Sequence, residues 1–217
     1  MEMDRSYDVA RERMVAEQLL ERNIRDPRVL EAMRTVPRHS FVPLDQRGLA
    51  YVDSPLPIGN GQTISQPYIV ALMTQLLELK GSEKVLEVGT GSGYQAAVLS
   101  QLAAEVYTIE RHADLGRYAA RILEDLGYLN VHVKIGDGSR GLVEFAPFDA
   151  ILVTAAAPQV PRPLLAQLVN GGCLVIPVGA RGNQTLERWV RNADRYLNDM
   201  ITAVAFVPLL GEFGWQE

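Results

Sequence analysis

The chain has 217 residues, a formal net charge of −5, 47% hydrophobic residues and 22% charged residues. These values are ordinary for a globular protein, so they exclude a fibrous or disordered chain. Lysine and arginine are scattered instead of clustered, which argues against a nucleic-acid-binding surface. The single cysteine, Cys173, cannot form an intramolecular disulfide, and its apolar neighbours are typical of a core residue in a reduced compartment.

The sequence favours a cytoplasmic protein. Apolar stretches such as 201–210 are far shorter than the ~20 residues that a membrane-spanning helix needs. The N-terminus is polar and of mixed charge, unlike a secretory signal. We expect one domain over residues 1–217 that acts as a monomer, with neither a membrane nor nucleic acid as a partner.

The first third of the chain predicts two helices and a long loop. Apolar residues recur at helical spacing over 7–22, and a second short helix is expected over 27–34. The stretch 37–66 is rich in proline and glycine but also carries apolar residues such as Phe41 and Ile58. Because long irregular segments inside compact domains are usually functional or disordered, these apolar residues favour an ordered active-site loop.

From Pro67 onward, helical and strand patterns alternate. A helix begins at Pro67, and Gly81 is expected to end it. Further helices are expected over 94–102, 113–126 and 163–168, and strands over 84–88, 105–110, 131–135, 148–153 and 173–178. Two later runs, 184–191 and 200–208, are expected as edge strands. The alternation predicts an α/β fold with a doubly wound, mostly parallel sheet and an N-terminal helical extension.

A glycine-rich turn joins the first of these strands to the next helix. Glycines let a backbone approach a ligand closely, and the turn presents N–H groups and a helix N-terminus to it. A dinucleotide-binding turn has the spacing G-x-G-x-x-G, whereas here Tyr94 takes the place of the final glycine. The match to NAD binding is therefore imperfect. The candidate cofactor-binding residues of this turn are Gly89, Thr90, Gly91, Ser92 and Gly93.

Three acidic residues are expected around the turn. Glu110 ends the next strand, 110 − 93 = 17 residues after the last glycine, which is about the distance at which a carboxylate meets ribose hydroxyls. Asp137 follows the third strand and can accept a hydrogen bond from an adenine amine, and Glu87 adds negative charge. Each acid alone is equally consistent with a polar strand end. Together they favour a cationic adenosine ligand over a pyrophosphate by roughly a few kcal/mol, and S-adenosyl-L-methionine fits this description.

Two runs carry a family resemblance. Residues 87–95 (EVGTGSGYQ) and 59–67 (GNGQTISQP) closely resemble protein-L-isoaspartate (D-aspartate) O-methyltransferases. Further similar runs lie at 153–158, 174–179 and 206–209, so the resemblance covers nearly the whole chain. It implies a Rossmann-like methyltransferase sheet over 67–217 that binds the cofactor, preceded by N-terminal helices and a substrate loop over 1–66.

The resemblance also implies the reaction. Family members transfer a methyl group from S-adenosyl-L-methionine, leaving S-adenosyl-L-homocysteine, to the carboxylate of isoaspartyl residues in damaged proteins and so initiate repair. D-Aspartyl residues are a further expected substrate. Ser65 matches the active-site serine of the family. The other residues that the resemblance places near the cofactor are Gln62, Thr63, Ile64, Gly138 and Gln184.

Spacing alone leaves the role of Ser65 open. It precedes Pro67 and an apolar helix, so it is also a candidate helix cap. A substrate carboxylate with a pKa of about 4 is already ionised at neutral pH, so methyl transfer needs no general base. Ser65 would instead orient the reactants. Orientation lowers a reaction barrier by roughly 7–11 kcal/mol in favourable cases.

Other functions are disfavoured but remain alternatives. The three histidines, His39, His112 and His132, are widely separated, and we expect no metal site. No G-x-S-x-G turn supports a hydrolase. The remaining alternatives are a methyltransferase for another substrate class, such as a small molecule or RNA, an NAD-dependent oxidoreductase and a nucleotide-binding regulatory module.

Overall fold

The computed structural model describes residues 2–216. The α-helices are α1 (Glu2–Arg13), α2 (Pro27–Thr35), α3 (Pro67–Leu76), α4 (Tyr94–Ser100), α5 (Ala113–Asp125) and α6 (Arg162–Ala166). The strands are β1 (Leu56–Gly59), β2 (Gln62–Ile64), β3 (Lys84–Val88), β4 (Glu105–Glu110), β5 (Val131–Ile135), β6 (Phe148–Val153), β7 (Leu168–Ala180), β8 (Asn183–Asn192) and β9 (Arg195–Val204).

Seven strands form one sheet in the order β5-β4-β3-β6-β7-β8-β9. The pairs from β5 to β7 are parallel, and β8 and β9 are added antiparallel. The predicted α/β fold with a mostly parallel, doubly wound sheet is confirmed. Chain order reverses between β3 and β6, and the crevice at the carboxyl ends of such neighbours is where open α/β sheets bind ligands.

Strand residues alternate between two apolar cores. Val85 of β3 packs in the larger core with residues of the N-terminal helices, including Met14 and Met33, whereas its neighbour Leu86 packs in the second core with Leu164 of α6. A parallel sheet that is covered on both faces needs apolar side chains in both directions. This explains why the central strands were recognisable as continuous apolar runs.

The N-terminal helices cover the larger core. The predicted helix over 7–22 begins earlier, at Glu2, and continues through a π-helical segment (Met14–Leu19) to a 3₁₀ turn that ends at Arg22. The carboxylate of Asp26 caps α2 by accepting a hydrogen bond from the Arg28 N–H at 2.9 Å. No helix within residues 2–216 has the length and apolar character needed to cross a bilayer.

The expected irregular loop over 37–66 contains a β-hairpin that the sequence analysis missed. β1 and β2 pair antiparallel, and the turn between them places Asn60 (φ +51°) and Gly61 (φ +68°) in the left-handed region. An Asn-Gly pair is typical of the tight turn that joins two such strands. The Asn-Gly dipeptide could have indicated the hairpin, but its strands are only four and three residues long, which is too short for a clear strand pattern.

Further differences from expectation lie at α3, β7, β8 and β9, and β9 covers Arg195–Val204 instead of the expected 200–208. α3 ends at Leu76, and Glu78 instead of Gly81 adopts the left-handed conformation that follows it (φ +55°). β7 begins at Leu168, because Leu168 pairs with Phe148 before the register shifts by a bulge. β8 lies between β7 and β9, so it is an interior strand and not the expected edge strand.

Residues 205–216, here called the C-terminal strap, fold back over the sheet. The Leu209 N–H donates to the carbonyl of Ala156, and the Glu212 N–H donates to the Asp137 carboxylate at 2.9 Å. Gly211 has a φ of +154°, and a Cβ at this position would collide with the Asp137 and Ser139 side chains. Glycine is therefore required where the strap meets the loop after β5.

We predict that Gly211→Ala lowers the free energy of unfolding by about 1–3 kcal/mol, because the added methyl group overpacks a site with unfavourable φ. Urea denaturation measures this change. Gly48→Ala is the matched control, since a Cβ at Gly48 meets no atom within 4 Å. Equal urea midpoints for the two variants would contradict the role given to Gly211.

Candidate active site

One pocket lies at the carboxyl ends of β3, β4 and β6 and is open to solvent, with about 820 Å³ of space between and in front of its lining atoms. The predicted site residues that line it are Gln62, Thr63, Ile64, Ser65, Gly89, Thr90, Gly91, Ser92, Glu110 and Gly138. The structure therefore brings together the glycine turn, the hairpin and the ends of two further strands.

The glycine turn follows the last residue of β3. Gly89 and Gly91 have φ values of +97° and +53°, which glycine adopts without strain. A Cβ at Gly89 would collide with Thr154 Oγ1, and that hydroxyl donates a hydrogen bond to the Gly89 carbonyl at 2.7 Å. The turn thus lies directly against the end of β6, and its free face is left open to the pocket.

Glu110 fixes the turn to the end of β4. One oxygen of its carboxylate accepts the Gly91 N–H at 2.8 Å, and the other accepts the His112 N–H at 2.8 Å. The side chain is 5% exposed yet lines the pocket. A carboxylate with two oxygens retains acceptor capacity beyond two N–H groups, so Glu110 can still receive a hydroxyl donor from a ligand.

The hairpin and the strap form the other walls. Gln62, Thr63 and Ile64 of β2 face the pocket together with half-buried Ser65. Gln66, and not Ser65, is the N-cap of α3, and its side chain makes no capping hydrogen bond. The structure therefore does not support a capping role for Ser65. It shows Ser65 in the lining of the pocket.

Comparison with known proteins identifies the family of this chain. The family model described as "Protein-L-isoaspartate(D-aspartate) O-methyltransferase (PCMT)" matches residues 10–214. The chain belongs to this family. Protein-L-isoaspartate O-methyltransferases of Geobacter metallireducens and Pelobacter propionicus are 56% and 58% identical to it, over 97% of this chain in both cases and 98% and 95% of theirs.

Solved structures agree with this assignment. A protein-L-isoaspartate O-methyltransferase structure superposes with a TM-score of 0.85 at 28% identity, covering 94% of this chain and 67% of that one. A second, from Plasmodium falciparum and in complex with S-adenosyl-L-homocysteine, gives a TM-score of 0.80 at 26% identity and covers 92% and 98% of the two chains. The predicted family resemblance is confirmed.

In this methyltransferase, the structure corrects the role expected of Glu87. Its side chain is fully buried beneath the turn, where one oxygen accepts the Thr108 hydroxyl at 2.5 Å and the other has no partner among the described residues. Burial raises the pKa of Glu87 to about 8, and the nearby Glu110 adds to the rise while the Thr108 hydroxyl opposes it. Glu87 is therefore mostly neutral at pH 7 in the free protein and does not supply the negative charge that was expected of it around the turn.

Three other predicted residues are not among the described residues that line the pocket. Gly93 caps α4 below the turn, where a Cβ would press on Ala119 and Leu123 of α5 at 3.3 Å. The Asp137 carboxylate holds the strap and caps the turn at Ser139, and these bonds hold its pKa below the usual range despite the opposing effect of burial. Gln184 joins the Ala180 carbonyl to the Phe206 N–H. These three residues therefore hold elements around the pocket in place without lining it.

Several residues that line the pocket were not predicted from the sequence. They are Val88, Tyr94, Gln95, Ile109, Arg111, His112, Thr154, Ala155 and Val207–Leu210, together with Val70. Residues 153–158 and 206–209 were noted as family-like runs, so a signal existed. This signal did not show where the two runs lie relative to the pocket, because the strap reaches the pocket through contacts between residues that are distant in sequence.

Arg38 ties the N-terminal region to the glycine turn. It is fully buried, its Nε donates to the Ala50 carbonyl at 2.7 Å, and its guanidinium carbon lies 4.9 Å from the centroid of the Tyr94 ring. Burial lowers the pKa of Arg38 to about 10, so the group remains charged at neutral pH. This cation–π contact holds the segment before the hairpin against the first turn of α4.

Among the side chains that the structure describes, those of residues 6–216, no group of three or more His, Cys, Asp or Glu residues is arranged to hold a metal ion. Cys173 is buried, and burial raises its pKa to about 11. The thiol is therefore protonated at neutral pH and packs as an apolar group.

We predict that Glu87→Gln flattens the dependence of stability on pH in the free protein. The folded pKa of about 8 exceeds the ordinary value of 4.5, so the folded state holds a proton that the unfolded state has released between these limits. Stability conferred by Glu87 is full at low pH and falls by up to about 1.4 kcal/mol per pH unit as pH rises through this window. The glutamine keeps an acceptor for Thr108 and does not titrate.

Denaturation of both proteins in urea between about pH 5 and pH 8 tests this prediction. Glu83→Gln is the control, because Glu83 is a surface acid whose carboxylate accepts several backbone N–H groups and whose pKa is lowered. Parallel pH profiles for wild type and Glu87→Gln would show that the buried carboxyl is ionised throughout.

Proposed function

We propose that the pocket binds S-adenosyl-L-methionine and presents its methyl group to the carboxylate of an L-isoaspartyl or D-aspartyl residue in a damaged protein. The resulting ester is a better electrophile than the carboxylate, so it can close to a succinimide and reopen partly as normal aspartate. One observation carries the proposal: the hairpin segment from Gln62 to Ser65 and the glycine turn face each other across one pocket.

The pocket suits the cofactor by its chemistry. The glycine turn leaves room where side chains would intrude, and Val88 and Ile109 offer apolar contacts for a flat ring. A Cβ at Gly138 would lie 2.6 Å from Val88 Cγ1 and 3.2 Å from Ile109 Cγ2, so glycine lets the loop after β5 pack closely against these two apolar side chains. The carboxylate of Glu110 matches ribose hydroxyls.

When bound, S-adenosyl-L-methionine supplies an electrophilic methyl group on a sulfonium. The residues of this chain would supply placement, since the substrate carboxylate is already ionised and no proton has to be removed. Ser65 would hold that carboxylate by a hydrogen bond from its hydroxyl. The strap and the hairpin would exclude water, which strengthens both the hydrogen bond and the alignment.

We predict that Ser65→Ala lowers kcat on an isoaspartyl peptide by well over tenfold and leaves the Kd for S-adenosyl-L-homocysteine nearly unchanged. The hydroxyl orients the nucleophile and is not needed to hold the cofactor. Steady-state kinetics and calorimetric titration give the two values. Ser82→Ala, in an exposed turn, is the control, and an unchanged kcat for Ser65→Ala would remove Ser65 from the mechanism.

We predict that Glu110→Ala raises the Kd for S-adenosyl-L-methionine by more than about tenfold. The variant loses the acceptor for Gly91 N–H and His112 N–H as well as the ribose contact. Glu110→Gln keeps one acceptor and should lie between alanine and wild type. The control is Glu105→Ala at the exposed start of the same strand; equal affinities for all four proteins would refute this role.

The substrate class is tested with paired peptides that differ only in aspartate or isoaspartate. Transfer of labelled methyl to the isoaspartyl member alone is the expected result. Equal labelling of both peptides, or of neither, would favour another substrate class. We further propose that the enzyme acts as a cytoplasmic monomer organised as one domain, with residues 1–66 on the substrate side and 67–217 on the cofactor side.

A further inference from the structure

A second opening, here called the side groove, lies beside the pocket and contains about 650 Å³ of space. It runs between the segment 41–43, the β1–β2 hairpin and the first two turns of α5. Its floor consists of Phe41, Val42 and Leu115, and its rim includes Asn60, Asp114 and Tyr118. None of these residues was a predicted site residue.

The side groove is continuous with the pocket. Ser92 of the glycine turn lines both. The hairpin forms the wall between them, because Ile58 faces the groove and reaches to 3.4 Å from the position of a Cβ on Gly91, while β2 faces the pocket. A polypeptide whose modified residue enters the pocket at Ser65 therefore has this groove within reach of its flanking residues, since an extended chain rises ~3.3 Å per residue.

The lining specifies the kind of side chain that fits. Phe41, Val42 and Leu115 are 1%, 2% and 7% exposed, so core packing holds the floor rigidly, and the more exposed Ile58 and Tyr118 offer most of the apolar contact surface. Tyr118 stands 54% exposed at the rim, where an aromatic ring offers contact area at a low cost in conformational entropy. Asp114 is the acid among the lining residues, and it lies in the first turn of α5.

We propose that the side groove is a specificity site that receives an apolar side chain flanking the isoaspartate in the substrate polypeptide. This proposal rests on the proposed function of the adjoining pocket. The apolar lining, chiefly Ile58 and Tyr118 above the rigid floor, selects aliphatic or aromatic side chains, and the carboxylate of Asp114 disfavours an acidic one. Ser92 lines both the groove and the pocket, and this continuity favours a side chain of the bound substrate over a second copy of the chain as the occupant.

The test uses three isoaspartyl peptides that differ at one flanking position, which carries leucine, glycine or glutamate. The flanking positions on both sides of the isoaspartate are varied in turn. Tyr118→Ala should raise KM for the leucine peptide at one of these positions by about fivefold or more, as expected when aromatic contact area is lost. KM for the glycine peptide, kcat and the Kd for S-adenosyl-L-homocysteine should stay at the wild-type values.

Two further variants sharpen the test. Tyr118→Phe keeps the ring and should behave as wild type, which separates contact area from the hydroxyl. Asp114→Asn should lower KM for the glutamate peptide specifically, because it removes like-charge repulsion and frees Arg117, whose guanidinium now lies 2.6 Å from the Asp114 carboxylate. Leu129→Ala is the control, since Leu129 is an apolar residue 78% exposed and absent from the groove lining.

A Tyr118→Ala variant with equal changes for the leucine and glycine peptides, or with none, would overturn the proposal. A change in the sedimentation behaviour of Tyr118→Ala without a change in KM would also overturn the proposal, because the groove would then serve contact between copies of the chain. Failure of wild type to methylate even the glycine peptide would overturn the proposed function itself, and the side-groove proposal with it.

Discussion

The buried carboxylate of Glu110 accepts hydrogen bonds from two backbone N–H groups, and the geometry of the site depends on this arrangement. A carboxylate in a low-dielectric environment is costly unless it is paired or hydrogen-bonded. Here the Gly91 and His112 N–H groups meet that need at 2.8 Å each. In doing so they fix the turn after β3 relative to the end of β4. The pocket can therefore form between two strand ends whose relative position is already set by parallel pairing from Lys84 to Val88.

The two acids near the turn show how position decides what a carboxyl group does. Glu110 points along the turn and reaches the pocket, whereas Glu87 lies beneath it, fully buried, with a raised pKa. The two negative charges together were expected to favour a cationic ligand. That ligand agrees with the family, but of these two acids only Glu110 lines the pocket, and Arg111 lies beside it in the lining. A neutral Glu87 also avoids repulsion between two buried anions, which would otherwise oppose folding.

The parts of the fold that were predictable are those specified by neighbours in sequence. β3 to β6 were located to the residue because each is a short apolar run between polar ends. The glycine turn was recognisable from local sequence as well, by the spacing of Gly89, Gly91 and Gly93. The hairpin was missed because its strands are only four and three residues long, and the start of β7 and the strap were misplaced or missed because contacts between residues distant in sequence decide them. Asp137 and Gln184 illustrate the limit: both are polar residues near the pocket, and only the folded chain shows that they bind the strap and Phe206.

This division also separates two sets of walls around the pocket. Strand ends and the glycine turn form one set, and their positions follow from the register of the sheet. The hairpin and the strap form the other set. The Asp137 carboxylate holds the strap at Glu212, and Arg38 holds the segment before the hairpin against Tyr94. Ile58 joins the two sets of walls, since it packs against the glycine turn and also lines the side groove. Side chains on the hairpin and on α5 can therefore vary while the hydrogen bonds that fix the glycine turn to the strand ends remain as they are.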